Sequence, residues 1–134
     1  MRGLGWIPEG HIVPVGADKG DDLATSALKF LGTPYLFGGR SSGGIDCSGL
    51  SQVVLQFHGH DSPRDSGPQL RAGLEGQPED WQRGDLVFFK AHVGIMVDAE
   101  NILNATARTM DTRIEPLADL TAIYDGGILG YRRL

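Results

Sequence analysis

Cys47, the only cysteine in the chain, stands near the end of the glycine-rich run Gly38-Gly-Arg-Ser-Ser-Gly-Gly-Ile-Asp-Cys-Ser-Gly-Leu50. Leu50, Val53, Val54 and Phe57 then follow the i, i+3, i+4, i+7 spacing of an amphipathic helix. Asp46 is a good N-cap, which places Cys47 in the first helical turn. Unpaired N–H groups and the positive end of the helix dipole favour thiolate over thiol at that position. A lowered pKa is what makes a cysteine nucleophilic. A buried structural cysteine is the competing reading.

A thiol nucleophile needs a base within hydrogen-bond reach and a group that orients the base. Four histidines are available, His11, His58, His60 and His92. His58 and His60 fall at the far end of the Cys47 helix, some ten residues at about 1.5 Å each from the thiol. No third ligand accompanies that His-x-His pair, so no metal site is expected. His92 opens an alternating pattern in which Val93, Ile95 and Val97 share one face, and it is the best candidate base.

The orienting group follows from register. If Asp98-Ala99-Glu100 is a three-residue hairpin loop, residues 97 and 101 pair and Asn104 faces Gly94. Asn104 is then the diagonal, same-face neighbour of His92, about 7–8 Å away between backbones and within side-chain reach. Gly94 is expected to leave room for the contact. Asn104 would accept the imidazole N–H and turn the other ring nitrogen to the thiol, without adding a carboxylate's charge. A slip of one residue would move it to the other face.

These groups need a helix and a sheet to hold them. Asp21 or Asp22 caps a helix with Leu23, Ala27, Leu28 and Leu31 on one face and Gly32 just past its end. The Cys47 helix stops near Gly59. Pro68 sits near the start of a short helix, and residues 73–84 read as polar loop. Strand patterns follow at Asp85–Phe89, His92–Val97, Ile102–Thr106, Thr112–Glu115 and Ile128–Arg133, with a helical turn at Pro116–Leu120. Helices first and strands after predict an α+β domain over 21–134, its N-terminal helices packed on a central antiparallel sheet. Residues 1–20, with β-like pieces at Gly5–Ile7 and His11–Val15, read as an N-terminal arm.

Composition narrows the function classes. A net charge of −5 argues against binding nucleic acid by phosphate neutralisation. One cysteine excludes an intramolecular disulfide and a Cys-rich zinc site. No run of 18 apolar residues is present to span a membrane, and the N-terminus lacks the apolar stretch of a signal peptide. The compartment is left open. Glycine, 20 of 134 residues, predicts many tight turns and close backbone approaches.

Five segments in order resemble the NlpC/P60 family of bacterial cell-wall cysteine peptidases: Leu31-Gly-Thr-Pro-Tyr-Leu-Phe-Gly-Gly-Arg, Gly44-Ile-Asp-Cys-Ser-Gly-Leu, Pro63-Arg-Asp-Ser, Arg83-Gly-Asp-Leu-Val-Phe-Phe and His92-Val-Gly-Ile. The resemblance covers about residues 22–133 and implies a papain-like α+β fold without a cofactor. It implies Cys47 as nucleophile, His92 as general base and Asn104 at the third polar position, where many relatives carry His. It places Tyr35 beside the thiol as a donor to the oxyanion or substrate. The closest branch cuts γ-D-glutamyl–diamino acid bonds of peptidoglycan peptides. By that likeness Asp46 and Ser48 recognise the substrate's free amine, and Arg64, Asp65 and Ser66 line the other side of the pocket. Arg64 is expected to pair with the D-Glu α-carboxylate or with Asp65. In that branch an upstream SH3-like domain helps close the pocket, and the arm resembles the end of one. An amidase or acyltransferase of the same fold, and a cell-wall-peptide binding module with an impaired site, are the alternatives.

Overall fold

The computed structural model of the chain describes residues 5–12 and 20–134. Among these residues four α-helices, α1 (Leu23–Leu28), α2 (Cys47–Phe57), α3 (Ser66–Arg71) and α4 (Leu117–Ile123), accompany eight strands. The strands are β1 (Arg40–Ser41), β2 (Gly44–Ile45), β3 (Leu74–Glu75), β4 (Leu86–Phe89), β5 (His92–Met96), β6 (Asn101–Thr106), β7 (Asp111–Pro116) and β8 (Gly130–Arg132). β1 and β2 form a small hairpin, and the other six form one antiparallel sheet in the order β3-β8-β4-β5-β6-β7. The expected α+β architecture is the one observed. In the arm, Glu9–His11 forms a short 3-10 turn where part of a β-like piece was expected, and residues 13–15 of that piece lie outside the described residues.

The sheet is covered on both sides, so its central strands are buried throughout. On one face Leu86, Phe88, Val93, Ile95, Val97, Leu103 and Ala105 pack with Leu50, Val54 and Leu55 of α2. On the other, Val87, Phe89, Met96 and Ile102 meet Leu117 and Leu120 of α4. Val93, Ile95 and Val97 share a face, as the strand period requires.

The helices depart from their simple apolar stripes. α1 ends at Leu28, capped by Asp22, whose side chain accepts from Thr25 N. Leu31 is 52% exposed, beyond the helix rather than on its buried face. α2 buries Leu50, Ser51, Gln52, Val54 and Leu55, while Val53 is half-buried and Phe57 exposed. The helix is covered on two sides, so its buried surface includes polar residues that no apolar period marks. Ser51 Oγ reaches Gln69 Oε1 of α3 at 2.6 Å, and Gln52 Nε2 donates to Ser62 O at 2.9 Å.

Two local features aim β5. Phe89 pairs with His92 across the two-residue turn Lys90-Ala91, with Ala91 in the left-handed region at φ 56°. A non-glycine residue there costs about 1–2 kcal/mol. On the other side, Ile95 pairs with Leu103, Met96 with Ile102, and Val97 N donates to Asn101 O at 2.9 Å, the register expected for a three-residue loop. Gly94 is explained differently from the expectation. A Cβ there would lie 2.6 Å from Ile102 Cδ1 and 3.0 Å from Leu103 O, so the missing side chain makes room for Ile102.

Candidate active site

Asp46 ends the glycine-rich loop and starts α2. Its Oδ1 accepts from Gly49 N at 2.7 Å, the N-cap bond, and its Oδ2 accepts from Gly38 N at 2.7 Å. One carboxylate thus ties the loop to the helix and fixes Cys47 as the first helical residue. Gly49 completes the fit, since a Cβ on it would strike the Gly39 carbonyl oxygen.

The Cys47 thiol is half-buried and packs against the α2-side core. Burial pushes its pKa above the ordinary thiol value, and the neighbouring Asp46 charge adds to the rise. The N–H groups of Val93, Ser48 and Cys47 itself pull the other way and do not outweigh them. The expected helix-terminal stabilisation of the thiolate is therefore present but overruled by desolvation.

His92 is buried, and burial lowers its pKa to about 4. Its ring stacks on Tyr124, with centroids 4.8 Å apart and planes 10° apart. Tyr124 in turn stacks on Phe89. Tyr124 also lies within electrostatic reach of Cys47. His92 Nε2 meets Asn104 Oδ1 at 2.9 Å. Behind it, Asn104 Nδ2 donates to Glu115 Oε2 at 3.0 Å, and both Glu115 oxygens accept from Arg108, at 2.9 and 2.7 Å.

Cys47, Tyr35, Asp46, Ser48, Arg64, Asp65 and Ser66 line one cleft of about 380 Å³, together with Phe37, Gly38 and Ala91. Tyr35 is anchored by its N–H to Met110 O at 3.0 Å. Burial and the nearby Cys47 raise its pKa, so the phenol keeps its proton and remains a donor. A larger recess of about 660 Å³, lined by Trp81, Leu117 and Ile128 among others, lies along α4 and contains no histidine or cysteine.

Arg64 is expected to pair with the D-Glu α-carboxylate or with Asp65, and within the chain it pairs with Asp46 instead of Asp65. Its guanidinium grips Asp46 with two bonds of 2.9 and 2.7 Å and donates to Ser48 Oγ at 3.0 Å. Asp65 is exposed at the start of α3, and Asp46 is the buried carboxylate in need of a partner. Burial works to raise the Asp46 pKa, but Arg64 and the Gly49 and Gly38 N–H groups outweigh it and hold the carboxyl below its usual range. Arg64→Ala leaves that carboxylate buried without its cation. The Arg64 side chain is 29% exposed, so the loss falls short of that for a fully buried pair. We expect about 2 kcal/mol, read as a lower urea midpoint at unchanged m-value. A midpoint within error of the wild type would show that the pair contributes nothing.

Several site residues escaped the sequence reading. Gln69, 1% exposed, donates to Ser48 O at 3.0 Å and Pro63 O at 2.8 Å, clamping the Arg64 loop to the first turn of α2. Glu115 was legible by the argument that found Asn104. Asn104 pairs with Arg113, which makes Glu115 its diagonal, same-face neighbour. Tyr124 carries no local signal, since only the return of the chain after α4 brings it onto His92. Conversely, His58 bonds Ser26 Oγ at 2.9 Å at the far end of α2, away from the cleft. No cluster of three metal-ligating side chains exists among the described residues.

The profile of the NlpC/P60 family matches residues 32–121. The gamma-D-glutamyl-L-lysine dipeptidyl-peptidase of Bacillus cereus is 37% identical over 105 residues, covering 72% of this chain and 32% of its own length. The Bacillus subtilis protein of the same name is 33% identical over 138 residues, covering 96% of this chain and 46% of its own length. This chain thus spans less than half the length of either relative. The crystal structure of an NlpC/P60 family protein from Bacillus cereus superposes with a TM-score of 0.76 at 35% identity, covering 89% of this chain and 41% of the other. Family profile, relatives and sheet architecture agree, and the chain belongs to the NlpC/P60 family.

Proposed function

We propose that the chain is a cysteine peptidase that hydrolyses the γ-D-glutamyl–diamino acid bond of peptidoglycan peptides. The observation that carries the reading is the lone cysteine at the head of α2, opening into a cleft that Ala91 also lines, together with the next residue in the chain, a buried histidine that bonds an asparagine. The names of the two Bacillus relatives support the choice of bond.

The chemistry follows from the site. At neutral pH His92 is unprotonated and Cys47 is a thiol. As Cys47 Sγ forms its bond to the γ-glutamyl carbonyl carbon, His92 takes the thiol proton. The Cys47 N–H at the helix terminus and the Tyr35 hydroxyl stabilise the oxyanion. The imidazolium so formed is a strong acid in its buried setting and protonates the leaving amine as the C–N bond breaks. Water then attacks the thioester, gives its proton to His92, and the thiol is regenerated. The Asp46–Arg64–Ser48 cluster lines the cleft as a paired anion and cation. It complements the ammonium of L-Ala and the α-carboxylate of D-Glu, which the substrate carries together.

The test is mass spectrometry of L-Ala-γ-D-Glu-L-Lys and L-Ala-γ-D-Glu-meso-diaminopimelate after incubation with the protein. Release of L-Ala-D-Glu is expected, and N-acetylation of the peptide is expected to suppress it. Intact peptides under conditions where the fold is retained would overturn the reading. Cleavage at another amide would move it to the amidase alternative.

A further inference from the structure

The ring of hydrogen bonds behind His92 contains a group that can only accept. A carboxylate has no proton to give at neutral pH, and Glu115 is held ionised: burial works to raise its pKa, but Arg108 and Asn104 outweigh that and lower it. Whatever part of Asn104 faces Glu115 must therefore be the donor, its Nδ2, which lies 3.0 Å from Oε2. The amide carbonyl is then turned to His92, and it too can only accept. His92 Nε2, 2.9 Å from it, must carry the ring proton. Glu115 itself is fixed by Arg108, a donor-only group that bonds both its oxygens.

We propose that Glu115, clamped by Arg108, is a positioning residue for His92: it polarises Asn104 so that His92 is locked in the Nε2–H tautomer with Nδ1 free as the base nitrogen. Asparagine alone cannot impose this direction, because a flipped amide would present Nδ2 to the ring and favour the opposite tautomer. One other group supports the same orientation, the carbonyl of Arg113, but it lies 3.5 Å from Asn104 Nδ2, at the limit of a hydrogen bond. The carboxylate that the triad lacks at position 104 thus stands one side chain further back. Its effect is transmitted as hydrogen-bond direction. The hydrogen bonds of Glu115 run to Asn104 and Arg108, so its bonded path to the His92 ring passes through Asn104. The inference rests on the reading of His92 as general base.

The experiment is long-range ¹H–¹⁵N correlation of the His92 ring at pH 7, beside steady-state kinetics on L-Ala-γ-D-Glu-L-Lys. It uses the wild type, Glu115→Gln and the double variant Asn104→Asp/Glu115→Gln. The wild type is expected to show the Nε2–H tautomer. Glu115→Gln keeps the shape but presents either an oxygen or an NH₂ to Asn104. The Nδ1–H form is then expected to appear, and kcat to fall about 10-fold with KM unchanged. The double variant moves the carboxylate next to His92, with the new amide at position 115 donating to it, and is expected to restore both the Nε2–H signature and kcat. A merely structural loss at Glu115 would not be rescued by a second change. An unaltered tautomer in Glu115→Gln, or a double variant that does not recover it, would overturn the proposal. If the wild type shows the stated tautomer yet leaves the peptide intact, the peptidase reading fails while the positioning role stands.

Discussion

Cys47→Ala is expected to abolish release of L-Ala-D-Glu, a fall of at least about 10⁴-fold in kcat, with the fold intact. The change removes one sulfur from a half-buried position at the edge of the core, while the bond from Gly49 N to the Asp46 carboxylate does not involve the Cys47 side chain and stays. Thermal melting should therefore shift by no more than a few degrees. His92→Ala is expected to cost nearly as much activity, and the double variant little more than either alone. Groups that share one proton transfer do not contribute independently. Additive losses would show that thiol and imidazole act separately, and substantial activity in Cys47→Ala would remove the nucleophile altogether. The thiol also has a prediction of its own. Because burial raises its pKa, less thiolate is present at pH 7 than in a free cysteine. Alkylation by iodoacetamide should be slow at pH 7 and should still be climbing above the ordinary thiol pKa of about 8.5. A rate that levels off below pH 7 would mean that the helix terminus and His92 together overcome burial.

The parts of the site that could be read from residues alone are those fixed by local geometry. Asp46 caps α2 and delivers Cys47 to its first turn because capping is a matter of three or four consecutive residues. Asn104 meets His92 because a three-residue loop sets the hairpin register, and a period of two then settles the face. Short elements defeat the same reasoning. β1, β2 and β3 have two residues each, too few to show any period. The β1–β2 hairpin consequently appears only as glycine-rich loop in the sequence, and β3 as polar linker. Ser51 and Gln52 look solvent-facing on a helical wheel, and the docking of α3 and the Ser62 loop buries them. Arg64 illustrates a further limit. Its sequence neighbour Asp65 is the obvious partner, but desolvation decides, and the buried Asp46 takes it. The sign of the Cys47 shift fails for a related reason. The dipole of α2 is legible from its cap, whereas the depth at which the thiol is packed depends on strands about forty residues further along the chain.

Lowering the pH from 7 to 5 is expected to destabilise the folded protein by about 2 kcal/mol, and by about 3 kcal/mol at pH 4, chiefly through His92. Its folded pKa lies at about 4, against an ordinary value of 6.5. Between those values the unfolded chain binds a proton at this residue and the folded protein does not. Unfolding is then favoured as pH falls through 6.5, and the loss levels off below 4, where both states are protonated. The groups around the ring come from three elements. Asn104 of β6 and Glu115 of β7 support the charged form, while Arg108 in the β6–β7 turn opposes it. Burial against Tyr124 and Phe89 is the largest effect. The carboxyls with depressed pKa values, Asp22, Asp46, Asp98, Asp111 and Glu115, start from ordinary values of 3.8 to 4.5, so their loss of stability begins lower on the pH axis. Urea midpoints at pH 7, 6 and 5 therefore set the carboxyls aside, and a variant at position 92 separates this ring from the chain's three other histidines. His92→Gln keeps an amide donor for Asn104 Oδ1 and cannot titrate, so its midpoint should be nearly flat across that window. If the variant falls as steeply as the wild type, the slope belongs to other groups and the imidazole is not held neutral by its surroundings. A flat wild type would mean that the ring titrates in the folded protein as it does in the unfolded chain, so that burial does not hold it neutral at pH 5.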